Sequence, residues 1–194
     1  MSKFYPLCAA LLSAAVAPLL QGAGVEKEAP VGENVYVNCQ YRFAAIFPSE
    51  PMIRDITHTN GTQTVPARQF YTQQGMDSFS VIIADFSKGP AADDRIVENA
   101  AVPIRRRGEV RFQFSETYDP GIPGRQLNIY EPNGRQHRAS VYMANNRLYI
   151  TEANAMPGDF AALQFEQSIS LIDATGTDLD QNVGTTSRQY DCSH

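Results

Sequence analysis

GRQLNIYEPNGRQHRASVYMANNRLYITEANA, residues 124–155, reads as three antiparallel strands in a row. Arg125–Glu131, His137–Met143 and Arg147–Ala153 hold the aliphatic and aromatic residues, and Pro132-Asn133-Gly134 and Ala144-Asn145-Asn146 separate them. Proline presets φ, and Asn and Gly tolerate positive φ, so both separators read as hairpin turns. Leu127, Ile129, Val141, Met143, Leu148 and Ile150 are available for one buried face, which is the pattern of an antiparallel sheet with its other face in solvent. A sheet is therefore the centre of the fold, and the rest of the chain has to cover its apolar face.

Working outward, the segment before the meander supplies more strands. Asn34–Phe47 alternates aromatic and β-branched residues with polar ones, as a strand or a strand pair with a turn near Asn38–Gln40, and Pro48-Ser49-Glu50-Pro51 stops it. Ile53–Thr57 and Val65–Thr72 read as hairpin arms around Thr59-Asn60-Gly61-Thr62, which also holds a formal glycosylation sequon. Phe79–Phe86 is continuously apolar, as a central strand covered on both faces. Ala91–Arg107 turns helical, with acids early and arginines late, in keeping with the helix dipole; Gly108 follows as a stop, and Pro103 is expected to kink or end the helix early. Glu109–Glu116 is a strand with Val110, Phe112 and Phe114 on one face, and Tyr118–Gly124 is a loop. After the meander, Asp159 caps a helix over Phe160–Ile172 with Phe160, Leu163, Ile169 and Ile172 on its apolar face. Asp173–His194 has no core pattern of its own.

The order of these pieces resembles the Mog/PsbP-like α/β/α sandwich family. The resemblance is carried by Tyr41-Arg42-Phe43-Ala44-Ala45-Ile46-Phe47-Pro48-Ser49-Glu50-Pro51, by Val65–Thr72 and Phe79–Phe86, by the helix before Gly108, and by Gly124-Arg125-Gln126-Leu127. Arg138-Ala139-Ser140-Val141-Tyr142, Asn145-Asn146-Arg147-Leu148-Tyr149-Ile150 and Phe165-Glu166-Gln167-Ser168-Ile169 complete it. It implies an α+β fold with a central antiparallel sheet of about six to seven strands flanked by two main helices. The family includes a photosystem extrinsic subunit, a nuclear-transport factor that binds a small GTPase, and exported bacterial proteins. The resemblance also implies a non-enzymatic, partner-binding or assembly style of action, and transfers no catalytic residue. Pro103 and the cysteine-bearing tail depart from the family pattern.

Length and composition agree with one globular domain: 194 residues, 43% hydrophobic and 19% charged. A formal net charge of −5 argues against a nucleic-acid binder, because phosphate neutralisation needs positive charge. Lys3, the Ala/Leu-rich run Leu7–Leu20 and the small residues Gly22-Ala23-Gly24 read as a removed signal peptide over residues 1–24. That run is too short to anchor the chain stably in a membrane. Residues 25–33 then read as a flexible leader, 34–172 as a single domain and 173–194 as a tail, placed in the periplasm or secreted. Loss of Cys8 leaves Cys39 and Cys192, and in an oxidising compartment a bridge between them is the economical reading.

Residue types that carry chemistry are sparse. His58, His137 and His194 are far apart and outside metal-ligand spacing, so they read as surface polar residues. Ser87, Ser140 and Ser168 lack a nucleophile-elbow context, and no Gly-rich loop suits a phosphate, so neither cofactor nor metal is read from the sequence. Asp93 and Asp94 are explained as a helix start, and Tyr118, Tyr130, Tyr142 and Tyr149 as packing residues along the sheet. Arg105, Arg106, Arg107 and Arg111 form the one dense positive cluster, which reads either as a solvated helix end or as a docking patch for an acidic partner. The expectation is an exported binding or assembly-accessory protein with a partner in the cell envelope. The alternative is a carrier with a small-ligand pocket between sheet and helix; an uncharacterised hydrolase ranks third.

Overall fold

The computed structural model describes residues 35–88, 93–118, 121–180 and 188–193. The expected signal peptide, Cys8, the leader and His194 lie outside the described residues. In chain order the elements are β1 (Val35–Asn38), β2 (Phe43–Ile46), β3 (Met52–Asn60), β4 (Gln63–Gln74), β5 (Asp77–Asp85), α1 (Asp94–Arg105), β6 (Glu109–Thr117), β7 (Pro123–Tyr130), β8 (Gln136–Ala144), β9 (Arg147–Ala155), α2 (Phe160–Gln167) and β10 (Ser170–Leu171). Seven strands make one antiparallel sheet in the order β3-β4-β5-β9-β8-β7-β6, and β1-β2-β10 make a second, three-stranded sheet. The fold is α+β.

The meander is the β7-β8-β9 half of the large sheet, and its turns explain its register. Asn145 and Asn146 both hold positive φ, 50° and 61°, so Ala144 pairs directly with Arg147. Gly134 at φ 82° closes the wider β7–β8 turn, in which Asn133 Oδ1 accepts from the Arg135 N–H at 2.9 Å. The first expected segment is a hairpin, β1–β2, around Cys39–Arg42, with Asn38 Oδ1 accepting from the Tyr41 N–H at 2.9 Å.

Layering corrects the expectation that one sheet face is solvated. Leu127, Ile129, Val141, Met143, Leu148 and Ile150 pack under Val97, Ala100, Ala101 and Ile104 of α1, as their alternation requires. The opposite face of the same sheet carries Phe70, Phe79, Val81, Tyr142, Tyr149 and Ala153, which pack against Phe43, Phe47, Leu171, Ala162 and Phe165 of the small sheet and α2. Tyr142 and Tyr149, read from the sequence as packing residues along the sheet, are core residues beneath this second layer. Phe79–Phe86 is covered on both faces, as expected.

Three further expectations are corrected. Pro103 does not end α1, which runs on to Arg105; the proline stands near the last turn, where its missing N–H costs one bond, and the Arg106 N–H still reaches the Val102 carbonyl at 3.3 Å. The second helix stops at Gln167 rather than Ile172, because Ser170 and Leu171 leave the helix to pair with Ala44 and Phe43 of β2; Phe160, assigned to its buried face, is 72% exposed. The tail does have a core residue: Tyr190 is buried with Ala44 and Ile172, and Thr177 bridges Gln189. Beside Tyr190, Cys39 and Cys192 form the expected disulfide.

Candidate docking edge and its charged support

The sheet ends at β6, which pairs with β7 on one side and with no described strand on the other. A strand in that position presents unpaired N–H and C=O groups. The apolar residues of β6 do not share a face as expected. The register shifts between Val110 and Phe112, so Arg111 is an extra residue and the side alternation switches across it. Val110 stands opposite Ile129, on the α1 face, whereas Phe112 and Phe114 stand opposite Asn128 and Gln126, on the α2 face. Beyond the bulge the strand is regular, and its two rings lie 5.4 Å apart between centroids. Phe112 is 37% exposed, Phe114 55% and Val110 40%. α2 packs on β8 and β9, two strands in from this edge.

The four arginines of the sequence cluster all lie near the start of β6, and three spend their charge within the fold. Arg105 forks onto Glu98, NH1 to Oε1 at 2.6 Å and NH2 to Oε2 at 3.0 Å, while its Nε donates to Gln113 Oε1 at 2.5 Å. Arg125 of β7 adds a contact to Glu98 at 3.3 Å, and the hydrogen bond from Arg105 leads the effects that hold the Glu98 carboxyl below the usual carboxylate range. Arg111 lies 4.8 Å above the Tyr130 ring and 3.2 Å from Glu109. Arg107, though part of its side chain is exposed, reaches back to His137 and Glu152. Arg106, at the C-cap, is exposed.

Beneath the α1–β6 corner, Arg107 NH2 donates to Glu152 Oε1 at 2.9 Å and NH1 lies 3.3 Å from His137 Nδ1. With Arg107 as donor, Nδ1 accepts and Nε2 carries the hydrogen; Nε2 lies 3.3 Å from Glu152 Oε1, close but without the alignment of a hydrogen bond. Burial pushes the Glu152 carboxyl up, but the neighbouring His137 imidazole and the Arg107 charge outweigh it and leave the group below its ordinary range. His137 is therefore no surface residue: β8 places it inside, against the expectation from its nearness to a turn. His58 is half-buried, and burial depresses its imidazole against the opposing charge of Glu152. No spacing rule could have found this group, because its members come from β3, β8, β9 and the α1–β6 link.

A second polar network sits between α2 and the sheet. Glu166, 1% exposed, accepts from Ser140 Oγ, from Gln126 Nε2 at 2.7 Å and from Arg138 NH2 at 3.4 Å. Ser140 thus meets a buried carboxylate and no histidine, which is no arrangement for a nucleophile. Among the described residues no group of three His, Cys, Asp or Glu side chains is placed to hold a metal ion, and Cys192 is committed to the disulfide. Asn60 of the sequon is buried and donates from Nδ2 to the Ile96 carbonyl at 2.8 Å. An open cleft of about 420 Å³ lies beside β1, lined by Tyr36, Ile46, Phe47, Pro48, Pro51 and Gln164 among others. No helix among the described residues is long and apolar enough to cross a membrane.

No family model matches this chain, and neither does any curated protein. Among solved structures it is similar to the solution structure of the cyanobacterial PsbP (CyanoP) of Synechocystis sp. PCC 6803, with a TM-score of 0.44 and 14% identity over 74% of this chain and 96% of that one. It is also similar to the crystal structure of PA94, a protein of unknown function from Pseudomonas aeruginosa, with a TM-score of 0.33 and 13% identity over 54% of this chain and 85% of that one.

Proposed function

We propose that this chain is an extracytoplasmic binding or assembly-accessory protein of the Mog/PsbP-like kind that works by docking another protein chain along β6. The observation that carries the reading is the exposed Phe112–Phe114 pair on a regular sheet edge that has no partner strand among the described residues. Strand addition at such an edge draws affinity from main-chain hydrogen bonds and specificity from alternate side chains. The exposed Arg106 beside it is the member of the arginine cluster best placed to meet an acidic group of the partner. The Cys39–Cys192 bridge supports a working place outside the cytoplasm.

The test is a photoreactive phenylalanine analogue at Phe114 in the protein's own cells. A discrete adduct, lost when Phe112 is also changed to Asp, supports docking; absence of any adduct removes it. Arg106→Gln is expected to weaken that adduct several-fold, and an unchanged yield takes Arg106 out of the reading.

A second reading, a small-ligand carrier, is favoured by the cleft between the small sheet and α2. Native mass spectra of the protein from its own cells test it: extra mass that is lost on denaturation, and absent after Gln164→Trp, would move the assignment there.

A further inference from the structure

We infer that the Cys39–Cys192 bridge is a thiol–disulfide exchange site for a dithiol protein, attacked at Cys192, and that its opening lets Arg188–Ser193 lift from the outer face of the small sheet. The site stands apart from the β6 edge.

Both cysteines are only half-buried, and an open groove of about 520 Å³ runs beside the bridge, lined by Thr175, Gln189, Tyr190, Asp191, Cys192 and Ser193. Cys192 borders the groove and Cys39 does not; the Cys39 sulfur lies instead 3.6 Å from the Asp191 carbonyl oxygen. Exchange depends on which sulfur an incoming thiolate can reach, so attack falls on Cys192. Gly176 keeps the approach open: at φ 89° it carries no side chain, and a Cβ there would stand 3.1 Å from Cys192 Sγ. The Asp191 carboxylate on the groove wall is engaged by Ser193, from its N–H at 3.0 Å and its hydroxyl at 2.6 Å.

The step balances with the dithiol as reductant. Its first thiolate bonds to Cys192 Sγ, the Cys39–Cys192 bond breaks, and the electron pair leaves on Cys39 as a thiolate. The second thiolate then displaces Cys192 from the mixed disulfide. Two electrons pass to the bridge, the partner keeps a disulfide, and the protons it lost are taken up by Cys39 and Cys192. Cys39 departs from a basic corner: Arg42 stands in the same turn, Arg147 donates to the Gln40 carbonyl at 2.8 Å, and neither forms an ion pair among the described residues. A neighbouring cation stabilises a thiolate.

With the bridge open, Arg188–Ser193 is left with few ties. The Asp178 N–H donates to the Arg188 carbonyl and the Tyr190 N–H to the Gly176 carbonyl, each at 2.9 Å, and Gln189 meets Thr175 and Thr177 through its side chain. The Tyr190 ring covers Ala44 and Ile172, with Val35 and Val37 against the same cluster, and its hydroxyl meets Ser170 Oγ at 2.9 Å. The stretch before it is anchored separately, by the Leu179 N–H on the Leu171 carbonyl at 2.8 Å and by Tyr118 on Asp178 at 2.7 Å. Segments with few buried contacts open before the body of a domain does, so reduction frees the strap and uncovers the apolar face beneath Tyr190.

Two measurements on the native, oxidised protein test the inference. Incubation with a thioredoxin whose resolving cysteine is replaced by Ser is expected to trap a mixed disulfide, mapped by peptide mass to Cys192 over Cys39 by about ten to one. Attachment equal at the two sulfurs or mainly at Cys39, or an adduct that forms only in urea, overturns the site. Hydrogen exchange after addition of dithiothreitol should then show the Asp178 and Tyr190 amides exchanging about tenfold faster or more, with the amides of β8 unchanged. Tail amides that keep their protection would mean that Tyr190 holds the strap without the sulfurs, and a loss of protection shared by β8 would mean that the bridge holds the whole sheet; either result overturns the release.

Discussion

Glu166 is a carboxylate buried to 1% exposure beneath a short helix, and what makes that tolerable is the set of donors around it, Ser140, Gln126 and Arg138. Truncating one partner of such a group is costly because the other charge stays buried: Glu166→Ala is expected to cost about 3–5 kcal/mol, read from the urea midpoint. Replacing both charges, as in Glu166→Leu with Arg138→Met, should recover most of that loss; no recovery would mean that α2 is held by something other than this pair. The histidine and acid under α1 titrate in separate windows. His58 has its folded value depressed below 6.5, so the unfolded chain binds more protons, and stability falls as pH drops below 6.5 toward the folded value. Glu152 also has a lowered value, so its contribution holds above 4.5 and is lost as pH falls from there through the folded value. Melting curves from pH 7.5 to 5 should therefore show a decline that His58→Gln reduces and Glu152→Gln, acting lower, does not.

At the level of elements, the corner between α1 and β6 is the tightest join. A Cβ on Gly108 would run into the Tyr130 carbonyl and the Glu131 backbone, neither of which can move without breaking the β7 edge. Gly108→Ala is expected to cost about 1–3 kcal/mol, and a wild-type melting temperature would show that the corner relaxes freely. Pro103→Ala should act oppositely, restoring an N–H to α1 and raising stability by up to about 3 kcal/mol in denaturant titrations. Both residues show what the sequence discloses and what it hides. Gly108 was legible as a stop, yet its close approach to β7 depends on a strand far along the chain. Pro103 read as a terminator because local rules ignore the packing of Ala100, Ala101 and Ile104, which holds the helix in place past it. Ile169 and Ile172 fitted a helical stripe equally well as a strand continuation, and pairing with β2 decided between them. The bulge at Arg111 was silent in sequence, since β6 reads as regular alternation straight through it.

At the largest scale, the described chain is a sheet with α1 on one face and α2 plus a small sheet on the other, and Tyr190 and the disulfide meet beside β1. The large sheet was legible because each hairpin carries its own turn chemistry. The β1–β2 hairpin of the small sheet was legible for the same reason, but its third strand was not, because it is two residues long and Ser170 pairs with Ala44, 126 positions earlier. The bridge was legible from the cysteine count and the expected compartment. Its removal by Cys39→Ser with Cys192→Ser should lower stability by as much as about 5 kcal/mol in guanidinium titrations, mainly through a freer unfolded chain. An unchanged midpoint would show that Tyr190 and its neighbours close the fold unaided. With 153 positions between the two cysteines, the bridge also makes nearly all of the described chain one closed loop. A single protease nick at the exposed Met76 turn would then release nothing. It would leave two chains, one ending at residue 76 and one beginning at residue 77, joined through sulfur, that migrate as one species until a reductant parts them.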